Sequence, residues 1–170
     1  MRRSGLRLRV YLLGAWFAGL AMPAVAANHV APTASASVAS ARDAIELSRD
    51  GKSDYVIVLP SRATPVERTA AGELQGHLVQ VTGAALPIVS EDEAPADRPR
   101  IVLGDGAVTR QLLAGFDGAK LRPDAIVMKS VGRDLVLTGH PRRGALYAVY
   151  TFLEGVVGVR WWTSSEFHIP

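Results

Sequence analysis

The sequence predicts a layered α/β domain, a mixed β-sheet with about three helices packed on it. Three observations carry that expectation. Short apolar runs with strand character alternate with helical patterns along residues 44–163. One segment, Thr64 to Val81, has both a helix-start signature and an apolar stripe. Two glycine turns, at Asp50-Gly51 and Gly132-Arg133, sit between strand-like runs.

The elements follow in order. Ala44 to Arg49 and Asp54 to Leu59 flank Asp50-Gly51, which supplies positive φ at low cost and predicts a hairpin. Tyr55-Val56-Ile57-Val58-Leu59 is continuously apolar, as suits a strand covered on both faces, and Pro60 ends it. Thr64 can cap a helix, Pro65 fits its first position, and Glu67 stands three after Thr64 as in a capping box. Val66, Ala70, Leu74, Leu78 and Val81 then form one stripe, and Thr82-Gly83 stops the helix. Leu86 to Ser90 and Ile101 to Leu103 read as strands around an acidic, proline-bearing loop, Glu91 to Pro99. Gly104-Asp105-Gly106 leads into a short helix, Val108 to Leu113. Ala125 to Val131 and Asp134 to Thr138 predict a second hairpin. Gly144 to Val156 is the final helix and Val159 to Thr163 the final strand.

The N-terminus reads as an export signal over residues 1–26. Arg2, Arg3, Arg7 and Arg9 form a basic region, Val10 to Met22 an apolar core, and Ala24-Val25-Ala26 a cleavage pattern. The apolar run is short for a membrane span of about 20 residues, so cleavage is favoured over an anchor. Residues 27–43, rich in Ala and Ser, read as a disordered spacer, and 44–170 as one domain. The chain is therefore expected to be exported, periplasmic or secreted, with no membrane association after cleavage. Its formal charge of +3 comes from 19 basic and 16 acidic side chains. Four of those Arg belong to the signal, which leaves 15 against 16, so the basic balance points to no nucleic acid. There is no cysteine, so no disulfide holds the fold.

The ordered series of motifs resembles the N-terminal α/β domain of the bacterial α-glucuronidase family. It runs from the Asp50-Gly51-Lys52 turn through Glu73-Leu74-Gln75, Val81-Thr82-Gly83 and Leu86-Pro87-Ile88-Val89 to Ile101-Val102-Leu103-Gly104. Its most specific part is the closing block: Gly132 to Gly139, then Arg143 to Glu154, then Gly158-Val159-Arg160-Trp161-Trp162. The series is also similar to the domain that precedes the barrel in β-N-acetylhexosaminidases. The resemblance implies a non-catalytic accessory domain of a glycoside-hydrolase-like protein in polysaccharide metabolism. In those families the catalytic carboxylates lie on a (β/α)8 barrel of about 250 residues. That barrel is missing from this chain of 170 residues, so no catalytic residue is carried over. The implied partners are such a barrel, in cis or trans, or a second copy meeting the C-terminal edge.

The residues themselves offer little chemistry. Glu67 and Glu73 share a helix but stand about 240° apart around it, so they do not converge as a glycosidase pair must. Glu91, Asp92 and Glu93 lie in a loop and Glu154 near a helix end, so these carboxylates are expected to be solvated. His29, His77, His140 and His168 are scattered without metal-ligand spacing, and no Ser sits in a nucleophile elbow; no cofactor or metal is expected. Gly104-Asp105-Gly106 could face an anion, but a tight turn is the simpler reading. Arg142 and Arg143 at a helix N-terminus oppose its dipole, so a buried carboxylate such as Asp134, or an acidic sugar, is expected to offset them. Trp161 and Trp162 alternate across a strand, one to the core and one outward to a protein or a sugar. Arg142, Arg143, Trp161 and Trp162 are thus the candidate binding residues. The alternative function is a stand-alone carbohydrate-binding module for acidic sugars.

Overall fold

The computed structural model describes residues 8–11, 44–161 and 167–168. The expected signal peptide lies outside the described residues except for Leu8–Tyr11; the 27–43 spacer and Trp162 lie wholly outside them. The elements are β1 (Leu8–Tyr11), β2 (Ala44–Ser48), β3 (Val56–Leu59), α1 (Pro65–Thr82), β4 (Ile88–Ser90), β5 (Arg100–Leu103) and α2 (Ala107–Leu112). A 3-10 turn (Gly118–Lys120) leads to β6 (Ile126–Val131), β7 (Asp134–Gly139) and α3 (Gly144–Phe152). A π-helical turn (Leu153–Val157) and the short strands β8 (Arg160–Trp161) and β9 (Phe167–His168) complete the series.

The core is a five-stranded mixed sheet in the order β4-β3-β5-β7-β6. Its neighbours are parallel except β6 and β7, which form the expected hairpin about Gly132. Alternation along the strands sends side chains to two separate cores. Ile57, Ile101, Leu103, Leu135 and Leu137 face α1 and α3 and meet Leu74, Leu78 and Phe152. Val56, Val58, Val102 and Val136 face the other way, toward α2, and meet Leu113. This is the layered α/β domain that the sequence predicts.

α1 forms as its local signals require. Thr64 accepts from Glu67 N while the Glu67 side chain accepts from Thr64 N, so the capping box is complete, and Gly83 closes the helix with φ 75°. Ala70, Leu74, Leu78 and Val81 are buried, and Val66 at the first turn is half-buried. Burying a leucine side chain of this kind contributes about 1.5–3 kcal/mol, so the stripe docks the helix.

Three expectations change. The Asp50-Gly51 turn forms, with Asp50 at φ 53° and Gly51 at φ 76°, and Arg49 and Lys52 exchange backbone hydrogen bonds of 2.9 and 3.0 Å. Yet β2 and β3 do not pair. The Ser53 hydroxyl donates to Leu47 O (2.6 Å) and accepts from Tyr55 N (3.1 Å), which takes the place of the next ladder bonds. Val56 N then donates to Pro99 O, steering β3 onto β5, while β2 pairs antiparallel with β1. The final helix stops being α-helical at Phe152, earlier than Val156. The weak helix formers Gly155, Val156 and Val157 widen into the π-helical turn, and Val159 N reaches back to Leu153 O. Of the expected final strand, Val159 to Thr163, the described part is Arg160–Trp161, which bonds to β9 rather than to the central sheet, while Trp162 and Thr163 lie outside the described residues.

Candidate functional site

The three candidate residues that are described fall in two places. Arg142 and Arg143 stand in the turn between β7 and α3, and both are exposed. Arg143 is the N-cap of α3 and makes no side-chain cap bond; its Nη1 donates instead to Tyr147 Oη at 3.3 Å, one turn along. The Arg142 amide donates to His140 Nδ1 at 3.4 Å, and its guanidinium has no ion-pair or hydrogen-bond partner among the described residues. Asp134 is not their carboxylate. It lies at the opposite end of β7, accepting from Arg100 N (2.9 Å), Nε (3.1 Å) and Nη2 (2.5 Å). A strand of six residues separates the two ends, so the pairing expected from sequence is geometrically closed.

Trp161 is half-buried on the outer side of the α1–α3 layer. Its ring makes edge contacts with His77 of α1 (centroids 5.6 Å) and Tyr150 of α3 (5.4 Å). The His77 ring meets Glu73 O through Nδ1 at 2.9 Å, which fixes the imidazole at the edge of the helix. Burial pushes the Tyr150 phenol up, and the Glu73 carboxylate adds to it. Arg143, Tyr147 and Tyr150 follow one another at spacings of four and three, so they share a side of α3. Arg143 and the indole therefore sit at the two ends of one stripe. Trp161 fulfils the core-facing half of the expected alternation only in part, and its companion Trp162 lies outside the described residues. His77, Tyr147 and Tyr150 were missed by sequence reasoning, although the spacing from Arg143 along the helix was available to find the two tyrosines.

The carboxyl ends of β3 and β5 form the topological switch point of the sheet, since β3 leads to α1 on one face and β5 to α2 on the other. Open α/β sheets commonly bind ligands in such a crevice. Here two carboxylates fill it. Glu67, only 9% exposed, accepts from Thr64 N (2.7 Å) and Thr64 Oγ1 (2.9 Å) through Oε2 and from Asp105 N (3.3 Å) through Oε1. Glu91 accepts from Ser61 N and Oγ (both 3.0 Å) through Oε1 and from Val108 N (3.1 Å) through Oε2. Glu67 and Glu91 are thus structural caps, as expected for Glu67 in its capping box, whereas Glu91 is not the solvated charge expected. The glycines make room for them. A Cβ at Gly104 would lie 2.1 Å from Glu67 Oε1, and one at Gly106 2.5 Å from Glu91 Oε2. Gly104-Asp105-Gly106 is therefore a tight turn whose neighbouring N–H groups already hold the chain's own carboxylates. Partial burial pushes the Glu91 carboxyl up, but the hydrogen bonds from Ser61, Val108 and Ala107 outweigh it and hold the group below the usual carboxylate range.

An open groove of about 910 Å3 lies at the amino ends of β3, β5 and β7, between β2, the Asp50-Gly51 turn and Arg133. Its wall is set by Tyr55, whose hydroxyl donates to Arg133 O at 2.8 Å and whose burial pushes the phenol up to about 12, with the Asp134 carboxylate adding to the shift and Arg133 opposing it. Both signs of charge line it, Glu46 and Asp54 beside Arg49 and Lys52. Among the described residues no group of three or more His, Cys, Asp or Glu could hold a metal ion, and no helix is long and apolar enough to cross a membrane. Comparison with protein-family models and with curated proteins found no match to this chain.

Proposed function

We propose that the chain is a non-catalytic accessory domain of an exported, α-glucuronidase-related glycoside-hydrolase-like protein. The observation that carries this reading is the setting of Trp161. A half-buried indole braced by rings from two helices is a rigid, amphipathic anchor of the kind that dominates protein interfaces. It stands on the closing block of the sequence that most resembles the family, where a catalytic barrel would be its cover. The buried or capped carboxylates support the same reading, because Glu67 and Glu91 are each committed to three hydrogen bonds and are poorly placed for acid–base work.

The test is a sedimentation experiment with the α-glucuronidase-type barrel encoded nearest this chain. A complex is expected, and Trp161→Ser is expected to weaken it by about tenfold or more. A barrel that neither binds the domain nor is affected by Trp161→Ser overturns the reading. No hydrolysis of aryl glycosides or aldouronic acids is expected from the domain alone. Turnover that a single Glu or Asp substitution abolishes would contradict that.

One observation favours the second reading, a carbohydrate-binding module for acidic sugars. Among the described residues the Arg142 guanidinium is free of partners, and it stands beside Arg143, at the head of the stripe that leads through Tyr147 and Tyr150 to Trp161. Titration with glucuronic acid that shifts the amide signals of residues 142–147, with no barrel complex formed, would select this reading over the first.

A further inference from the structure

β2 is chemically a strand-accepting edge. Ile45 and Leu47 anchor it in the main core beside α1 and α3. It does not pair with β3, although the Asp50-Gly51 turn brings the chain back toward it, because Ser53 interrupts that ladder. Its strand partner is β1, with Leu8 opposite Ser48, Arg9 opposite Glu46, Val10 opposite Ile45 and Tyr11 opposite Ala44. β1 also runs beside the π-helical turn. In this register Arg9 stands opposite Glu46, whose carboxylate also holds Arg49 three residues on (Nη2 to Oε2, 2.5 Å). β1 spans the junction between the basic region and the apolar core of the N-terminal signal, the part of a signal that export machinery must engage.

We infer that the folded precursor holds its own signal on β2, so that folding ahead of export hides the signal and its removal opens a strand edge. The inference rests on the reading of residues 1–26 as a cleaved export signal. The occupant of the edge is residues 8–11 of the same chain. An extended segment seated on a sheet edge is bound through its main chain, with side-chain register giving selectivity. The same unpaired N–H and C=O groups would face solvent once the signal is gone.

Hydrogen–deuterium exchange on the full chain tests the pairing. Neighbouring amides of an antiparallel strand point alternately toward and away from the partner, so of Val10 and Tyr11 the amide that points at β2 is expected to exchange about tenfold or more slowly than the same amide in Glu46→Arg, which places an arginine opposite Arg9 in the register. The charge-swapped double variant Arg9→Glu with Glu46→Arg is expected to regain the protection. Exchange in the remainder of the domain, unchanged in all three, shows that the fold is intact. In parallel, purified signal peptidase is expected to cleave folded wild-type precursor more slowly than folded Glu46→Arg precursor, and both equally after dilution from urea. Val10 and Tyr11 amides that exchange alike in wild type and Glu46→Arg overturn the inference while leaving the export reading in place. So does equal cleavage of the two folded precursors. Exported protein that still begins at Met1 overturns the export reading and, with it, this inference, even where the β1–β2 pairing itself is found.

Discussion

The N-termini of α1 and α3 lie at the same edge of the sheet and are held by opposite means. At α1 the chain supplies a hydroxyl and a buried carboxylate, and Glu67 satisfies three donors where the helix dipole is positive. At α3 the cap is Arg143, a second cation precedes it, and no side chain caps the helix. What fixes α3 is close packing. A Cβ built at Gly144 would lie 2.4 Å from Gly139 C and 3.0 Å from Ala125 O, all backbone atoms. One helix start is secured by hydrogen bonds and charge, the other by the absence of a side chain. The lesson is that an electrostatically unfavourable start can be kept where the backbone fits, and that this leaves the cations free for another use.

The largest effect should come from breaking the packed end. Gly144→Ala would gain about 1 kcal/mol in helix propensity. It would also force rigid backbone apart, at a cost of about 3 kcal/mol or more. A net loss of about 2 kcal/mol is therefore expected in chemical denaturation. A midpoint equal to that of wild type would mean that α3 is not seated against Gly139. The capped end comes next. Glu67→Ala removes the acceptor of Thr64 and Asp105 and should lower stability by about 1–2 kcal/mol. Thr64→Ala in the Glu67→Ala background should cost about 1 kcal/mol more, since Thr64 Oγ1 still accepts from the backbone N–H of residue 67; no added cost would mean that this cap bond contributes nothing.

How much of this contrast was legible in the sequence depended on distance along the chain. The capping box was readable because Thr64 and Glu67 are three residues apart and obey a local rule. The third role of Glu67, at Asp105, joins residues 38 apart, and no spacing announces it. Gly144 was readable as the start of the final helix, but its close approach to Gly139 was not. The Asp50-Gly51 turn was read correctly and its strand partners wrongly, because a single hydroxyl, Ser53, diverts the ladder. The sheet was legible through its continuously apolar runs, such as Val56–Leu59 and Ile101 to Leu103, which suit strands covered on both faces. Trp161 was marked as an anchor by type and position, while the rings that brace it come from two other elements and required the fold.

Glu91 offers a smaller test that separates charge from packing. Its pKa is lowered in the folded state, so its contribution is fully present above the ordinary carboxylate pKa of about 4.3 and is lost as pH falls through the lower folded value. Wild-type stability should therefore decline on acidification below about pH 4. Glu91→Gln should be less stable than wild type by about 1 kcal/mol at neutral pH, because an amide NH2 cannot accept from Val108 N. Its acid limb should be shallower, so that the two curves approach each other at low pH. Parallel curves across the whole range would show that the carboxylate charge contributes nothing at the N-terminus of α2.

The smallest effect is expected at the cations. Arg142→Ala removes an exposed side chain without a partner among the described residues, so its cost should lie within about 0.5 kcal/mol of zero. Removing a positive charge from the start of α3 should also relieve repulsion with the helix dipole. Arg142→Glu is therefore expected to raise stability by about 0.3–1 kcal/mol at low ionic strength. That gain should shrink with added salt, as charges separated by solvent are screened. The same substitution would abolish binding of an acidic sugar at this turn. A variant that is more stable but no longer responds to glucuronic acid would show a cation kept for recognition against the interest of the fold. A variant that is less stable, with the loss insensitive to salt, would mean that Arg142 packs or pairs where the geometry shows it free, and the contrast between the two helix starts would then be one of packing alone.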